Sequence, residues 1–382
     1  MNAGRRPAQR DRIACFISPH GFGHAARAAA VMEALGNHRP SCHFDIFTTV
    51  PHQFFEDSLS VSYTRYPVTT DIGLIQKSAF AEDLDRTLAS LNAFMPFDPT
   101  LVSDLSRTVT RNRCDLILCD IAPLGIAVGR VSGVPTVLIE NFTWDRIYGG
   151  YPSMAAAMEI HIDYLRPMFA GADHHIQTEP VCFRGNADLT VGPVSRSFRS
   201  KKAEIRRRLR IPMSQKTVLI TTGGIPGHYR FLGCLSSYLD ATFILPGSSR
   251  SPEFRDNMIL LPHHSNFFHP DLVNASDIVI GKAGYSTIAE VYAAGVPFGY
   301  VARERFPESP GLVDFIRKKM DSVAFGEEDF ISGRWVERLP HLLSMRRRHR
   351  CVRNGSEEIA AYIGHVLDTD TTRNETGRGE RQ

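Results

Sequence analysis

From Ile13 to Ala302 one pattern repeats: a short β-branched or apolar run, a turn carrying Gly, Pro or Asp, and a helix-length interval. Strands with this spacing are buried on both faces and connected by helices that cover the sheet, so the pattern restricts the chain to α/β layers around parallel strands. Five runs fall in the first half: IACFIS (13–18), CHFDIFTT (42–49), DLILCD (115–120), TVLIE (136–140) and DHHIQT (173–178). Five more follow, TVLITTGG (217–224), ATFILP (241–246), NMILLP (257–262), DIVIG (277–281) and PFGYVA (297–302). Between the two series lies SRSFRSKKAEIRRRLRIP (195–212), which reads as a linker with one exposed helix whose charges form a solvated face.

The expected organisation is two Rossmann-like doubly wound domains, residues 12–193 and 216–345, joined by a linker over 194–215. A last helix over 346–366, opened by the basic run Arg346 to Arg350, should cross back over both domains, and the apolar-poor tail 367–382 should be disordered. A length of 382 residues with 43% hydrophobic content supports two cores. The 44 Lys and Arg nearly balance 41 Asp and Glu, which leaves no global field for nucleic acid or an anionic membrane. Seven cysteines without a CxxC spacing read as reduced apolar residues, and hence a cytoplasmic setting. The N-terminal apolar run is too short for a signal peptide, and no stretch is long enough to span a membrane.

Chemistry concentrates at two strand–turn–helix junctions. In DIVIGKAGYSTIAEVYAAGVPFGYVA (277–302) the turn places the backbone amides of Gly284 to Thr287, Tyr285 among them, at a helix N-terminus, where unpaired N–H groups and the helix dipole favour phosphate. Ser286 and Thr287 add hydroxyl donors and Lys282 a positive charge. One turn on, Glu290 offers a carboxylate to a ribose diol. The same residues also fit a plain N-cap with Glu290 as its capping-box partner.

The other junction is SPHGFGHAARAAAVMEAL (18–35). Gly21, Gly23 and Ala26 match a dinucleotide-binding spacing, but Asp45, the acid about twenty residues on, lies inside its strand instead of at its end, which argues against a dehydrogenase. His24, in the first helical turn, is a candidate general base because its pKa lies near working pH; a capping or buried histidine is the alternative, and His20 is a weaker candidate.

The run KAGYSTIAE resembles the nucleotide-diphosphate motif of GT-B glycosyltransferases, both the plant-type UDP-glycosyltransferases and the bacterial N-acetylglucosaminyltransferase of peptidoglycan synthesis. That resemblance implies a GT-B fold, with diphosphate contacts at Lys282, Gly284, Tyr285, Ser286 and Thr287, ribose at Glu290, and the GFGH loop as the seat of the base. Lys282 stands where a histidine is usual.

Further blocks, SPHGFGHAAR, LCDIAPLG, NFTWDRIYGGY, TTGGIPGHYR, IGKAGYSTIAE, FPESPGL and SGRWVERL, resemble in order the N-terminal, glycosyltransferase-like half of plant L-arabinokinase. No residues remain for a following kinase domain, so sugar kinase activity is not expected. The resemblance adds Asp120, which can orient His24, and Gly21, Phe22, Gly23, Asn141, Trp144 and Asp145 as acceptor-side cleft residues, Trp144 being either a sugar platform or core. It also adds Gly223 and Gly224 near the diphosphate, with Thr222 as a donor, and Glu308 on the donor sugar or in a plain surface loop.

The expected function is metal-independent transfer from a nucleotide-diphosphate sugar, expected to be UDP-linked because the motif resembles that of UDP enzymes, to a small-molecule or glycan acceptor, with no cofactor, no nucleic-acid partner and no membrane insertion. A nucleotide-sugar 2-epimerase of the same fold and a non-catalytic sugar-sensing module are the alternatives.

Overall fold

The computed structural model describes residues 11–78, 80–221, 231–348 and 353–379. Seven strands build the first sheet: β1 (Arg12–Ile17), β2 (His43–Phe47), β3 (Ser62–Tyr66), β4 (Leu116–Asp120), β5 (Thr136–Glu140), β6 (His174–Thr178) and β7 (Leu189–Val191). They lie in the order β3-β2-β1-β4-β5-β6-β7, all parallel. The second sheet holds β8 (Lys216–Thr221), β9 (Ala241–Ser249), β10 (Glu253–Arg255), β11 (Met258–Pro262), β12 (Ile278–Lys282), β13 (Phe298–Val301) and β14 (Ser322–Phe325). Its order is β10-β11-β9-β8-β12-β13-β14, parallel except for the edge pair β10–β11.

The central strands β4 and β5 are buried at every position, as runs such as LILCD and TVLIE require when helices cover both faces. The edge strands β3 and β7 and the short β14 were not legible in the sequence. β3 reads SYTRY with no apolar alternation, because an edge strand has one side and part of one face in solvent.

Lys201, Arg207, Arg208 and Arg210 of the basic linker are exposed as expected, but two other cations depart from the solvated face. Its helix, Lys202–Arg208, buries Ile205 and Arg206. Lys202 Nζ and Arg206 Nη1 reach Asp277 at 2.7 and 3.3 Å, and Asp277 Oδ2 in turn accepts from Thr217 N at 2.9 Å. These two cations therefore anchor the linker where β8 and β12 begin, instead of projecting into water.

The C-terminal segment also departs from expectation. Residues 346–348 are not helical; Arg347 donates to Ala294 O at 2.7 Å and Asn274 O at 2.9 Å, satisfying carbonyls at two helix ends, and positions 349 and 350 of the basic run lie outside the described residues. The last helix spans Gly355–Gly379, so it starts later than the pattern predicts and its backbone continues beyond residue 367, where a disordered tail was expected. Once nucleated on packed turns, a helix extends one hydrogen bond per residue without further apolar burial. Its Ile359, Ile363 and Val366 pack in the same core as Val31 and Leu35, so the chain's end returns to the first domain. Among the described residues no helix is long and apolar enough to cross a membrane.

Candidate active site

Both glycine turns lie at the carboxyl ends of central strands, β1 and β12, where the strand order reverses and an open α/β sheet leaves a crevice. The first turn ends at Gly21, whose φ of +70° is left-handed and suits glycine, and leads into the helix Phe22–His38. The second ends at Gly284 and opens the helix Tyr285–Ala294. Neither helix has a side-chain cap at its N-terminus. The predicted alternative, an N-cap by Ser286 or Thr287 with a Glu290 capping box, is therefore not formed. A Cβ built on Gly23 would come 3.9 Å from Ser286 Oγ, so the two helix N-termini face each other across the domain boundary.

Beside this gap His24 Nδ1 lies 3.0 Å from Asp120 Oδ1, at the end of β4. An ionised carboxylate only accepts, so Nδ1 carries the proton and Nε2 presents its lone pair. Arg27, one turn further along the same helix and 1% exposed, forks onto the same carboxylate: Nε to Oδ2 at 2.9 Å and Nη2 to Oδ1 at 2.6 Å. Burial by itself would raise the Asp120 pKa, but the Arg27 charge and the bonds from His24 and Arg27 hold it below the ordinary carboxylate range. Arg27 Nη1 also donates to Asn141 Oδ1 at 2.7 Å, and its guanidinium sits 4.8 Å from the ring centre of Tyr285 in the other domain.

Asn141 carries this network across the boundary, donating from Nδ2 to Glu308 Oε1 at 3.0 Å. The other Glu308 oxygen is 3.4 Å from Arg303 Nη2. Lys282, at the end of β12, is nearly buried; burial and the neighbouring Arg303 charge lower its pKa to about 8, against the pull of Glu308 and Glu82. Glu290 is buried, and its carboxylate takes Arg196 Nε and Nη2 on Oε1 at 3.2 and 2.9 Å and His269 Nδ1 on Oε2 at 2.8 Å. Desolvation would raise its pKa, but Arg196 and His269 keep it depressed.

No protein-family profile matches the chain. Among curated proteins it is similar to L-arabinokinase of Arabidopsis thaliana, at 27% identity over 366 residues that make up 92% of this chain and 34% of that protein. The chain thus spans about a third of the length of the curated relative it matches. Among solved structures, it superposes on the glycosyltransferase SnogD from Streptomyces nogalater with a TM-score of 0.56 and 14% identity, covering 94% of this chain and 100% of SnogD. UGT71G1 of Medicago truncatula, solved in complex with UDP-glucose, gives a TM-score of 0.61 at 12% identity, covering 94% and 98%. MurG of Acinetobacter baumannii gives 0.52 at 13%, covering 94% and 99%. Superposition over both sheets, and over nearly the whole of each neighbour, decides the architecture.

The chain has the GT-B fold.

The predicted residues divide into four groups. His24, Asp120 and Asn141 converge around Arg27, and Glu308 joins them from the second domain. Gly21, Gly23, Gly284, Ser286 and Thr287 frame the facing helix ends, with Lys282 at the preceding strand end. Gly223, Gly224 and Thr222 lie outside the described residues.

The remainder serve the framework. Trp144 is fully buried, stacked on Tyr148 with ring centres 5.8 Å apart, so it belongs to the first domain's core and offers no open face to a sugar. Tyr285 is buried under Arg27, and its hydroxyl accepts from Val194 N at 3.2 Å, which joins the second domain's helix to the linker. Phe22 stacks on Phe54 at 5.2 Å, and Asp145 is buried beside Trp144. Glu308 is buried in the cleft network, not part of a surface loop. His20 accepts from Leu74 N at 3.3 Å through Nδ1, and burial with the Arg303 charge lowers its pKa, so it is neutral and held to the loop after β3. Arg27, Arg196, His269 and Arg303 were missed. Arg27 had a visible signal, a single cation inside the apolar helix stretch AARAAAV (25–31).

Proposed function

We propose that this GT-B chain transfers a glycosyl group from a nucleotide-diphosphate sugar to a hydroxyl acceptor, without a metal ion. The observation that carries the proposal is the pair of uncapped helix N-termini facing each other beside a His–Asp pair. Amides at the start of the Tyr285–Ala294 helix, the Ser286 and Thr287 hydroxyls and Lys282 supply fixed positive potential for the departing diphosphate. His24 Nε2 takes the proton of the attacking hydroxyl, which lets the oxygen form its bond to the sugar as the bond to the diphosphate breaks. A UDP-linked donor is favoured because the structurally similar UGT71G1 was solved with UDP-glucose. Phosphorylation of a sugar is not proposed, since the similarity to L-arabinokinase covers 34% of that protein.

Glu290 is the proposed ribose contact. Arg196 and His269 occupy three of the roughly four acceptor positions of its carboxylate, orienting it and leaving room for one hydroxyl. Glu290→Ala should weaken UDP binding about 10- to 100-fold by calorimetry, the worth of a hydrogen bond to a charged group. An unchanged affinity removes the assignment.

Lys282 makes binding pH-dependent with a definite sign. With its pKa near 8, the free side chain loses its proton as pH rises through that value, while a bound diphosphate favours the charged form. UDP affinity should therefore fall between about pH 7 and 9.5, with proton uptake on binding near pH 8 visible as a dependence of the calorimetric heat on buffer ionisation enthalpy. Lys282→Met should flatten that profile; the same slope in the variant would exclude Lys282 from the diphosphate site.

A further inference from the structure

Opposite the diphosphate gap, two segments of the first domain meet the loop after β13. The hairpin closed by Asp83 N to Ile75 O at 2.7 Å and Lys77 N to Ala81 O at 2.8 Å reaches over the cleft, and its Phe80 packs against Phe330 of the second domain with ring centres 6.1 Å apart. Gly150, which follows the helix Trp144–Gly149, sits so close to Pro307 that a Cβ would come within 2.5 Å, and this approach brings Tyr151 to the same place. From the second domain comes Arg303, its guanidinium stacked 3.5 Å above the centre of the Phe306 ring.

These groups are buried without being satisfied. The side chains of Arg303 and Glu82 are each 6% exposed, and Tyr151 is likewise 6% exposed. Arg303 Nε and Nη1, Glu82 Oε1 and the Tyr151 hydroxyl have no hydrogen-bond partner among the described residues. Arg303 Nη1 and Glu82 Oε1 stand 3.6 Å apart, too far for a good hydrogen bond. Buried polar atoms are ordinarily paired, and an orphan forfeits its hydration without return. Three such side chains from three separate segments, all at one point of the domain boundary, have no partner among the described residues and leave donor and acceptor positions open to a ligand.

We infer that Glu82, Tyr151 and Arg303 form an acceptor subsite for a neutral sugar ring. This deepens the glycosyl-transfer reading and rests on it for the word acceptor. The donor and acceptor pattern selects the chemistry. A guanidinium only donates, an ionised carboxylate only accepts, and a phenol does both. A sugar hydroxyl can accept from Arg303 Nη1 and donate to Glu82 Oε1, bridging the 3.6 Å gap, while a second hydroxyl meets Tyr151. Burial, reinforced by Glu82 and opposed by Arg303, raises the Tyr151 pKa, so the phenol keeps its proton to donate. An anionic ligand would meet Glu82 and Glu308, and a cationic one would meet Arg303 and Lys282. A ligand with a single hydroxyl, such as phenol, could pair with only some of these atoms. Two of the three residues belong to the first domain, on the side of the cleft that carries His24, which places the ring on the acceptor side of the transfer.

The test uses the full chain, with L-arabinose, D-galactose and D-glucose as probes and phenol as the single-hydroxyl comparison. Saturation-transfer NMR is recorded with and without UDP, and UDP and UDP-glucose affinities are measured by calorimetry. Ring protons of at least one free sugar should receive saturation. Tyr151→Phe, which removes one oxygen, and Glu82→Gln should each weaken that sugar about tenfold, and Tyr151→Phe should leave UDP affinity constant. Thermal melts verify that both variants fold. Sugar binding that is absent in the parent, or unchanged from the parent in both variants, would show an ordered water only and overturn the inference. A loss confined to UDP-glucose relative to UDP would place the donor's sugar there and overturn the acceptor assignment. Failure of UDP itself to bind would strike the transfer reading instead, and the free-sugar arm stands apart from it.

Discussion

His24→Ala should lower glycosyl transfer by about 10²- to 10⁴-fold, the usual contribution of a positioned general base, while leaving UDP affinity unchanged by calorimetry. The expected split between chemistry and donor binding follows from the geometry. His24 Nδ1 is committed to Asp120 at 3.0 Å, which leaves Nε2 as the basic nitrogen, whereas the groups proposed to hold the diphosphate lie across the boundary on β12 and the helix after it. Full activity in the variant would end the base role. Weakened UDP binding together with lost transfer would instead make His24 a phosphate contact.

Arg27→Met should cost about 3–5 kcal/mol of stability at neutral pH, because it leaves the buried Asp120 carboxylate without its counter-charge and strips Asn141 of a donor. The pH dependence has a fixed sign. Asp120 has a depressed pKa in the folded protein, so its contribution to stability is present above the ordinary aspartate value and is lost as pH falls through the folded value. Without Arg27, burial dominates and Asp120 protonates more readily, so the gap between variant and parent should narrow as the solution is acidified toward pH 4. Urea unfolding at pH 7 and pH 4 measures both quantities. A loss under about 1 kcal/mol at pH 7 would show that the pair contributes little beyond a surface ion pair. Arg27→Lys should recover only part of the loss, since an ammonium cannot reproduce the fork onto Asp120 while also reaching Asn141.

Strands, core residues and charged partners were not equally readable. Strands such as TVLIE coincide with β5 residue for residue, because a strand buried on both faces carries a continuous apolar run, here Val137 to Ile139. Trp144 was ambiguous because an indole suits a sugar platform and a core equally well by type; only its packing under Tyr148 and its complete burial separate the two. Glu290 was legible as a residue near the cleft, but its partners were not, since Arg196 comes from the linker and His269 from a different helix.

The order and spacing of apolar runs determined the two α/β layers, and the glycine–hydroxyl–helix junctions marked the cleft, because both depend on local periodicity and turn chemistry. Tertiary structure alone decided which charges meet. Arg27 reaches Asp120 over 93 positions and Asn141 over 114, Asn141 reaches Glu308 over 167, and Arg196 reaches Glu290 over 94. Such pairs leave no periodic trace along the chain: each member is selected by the low dielectric and the unpaired partner at one point in space. The GKAGYSTIAE and GFGH junctions were both visible from their residues, while their facing arrangement, the Arg27 network and the meeting of the unsatisfied Glu82, Tyr151 and Arg303 arose only when the two sheets were brought together.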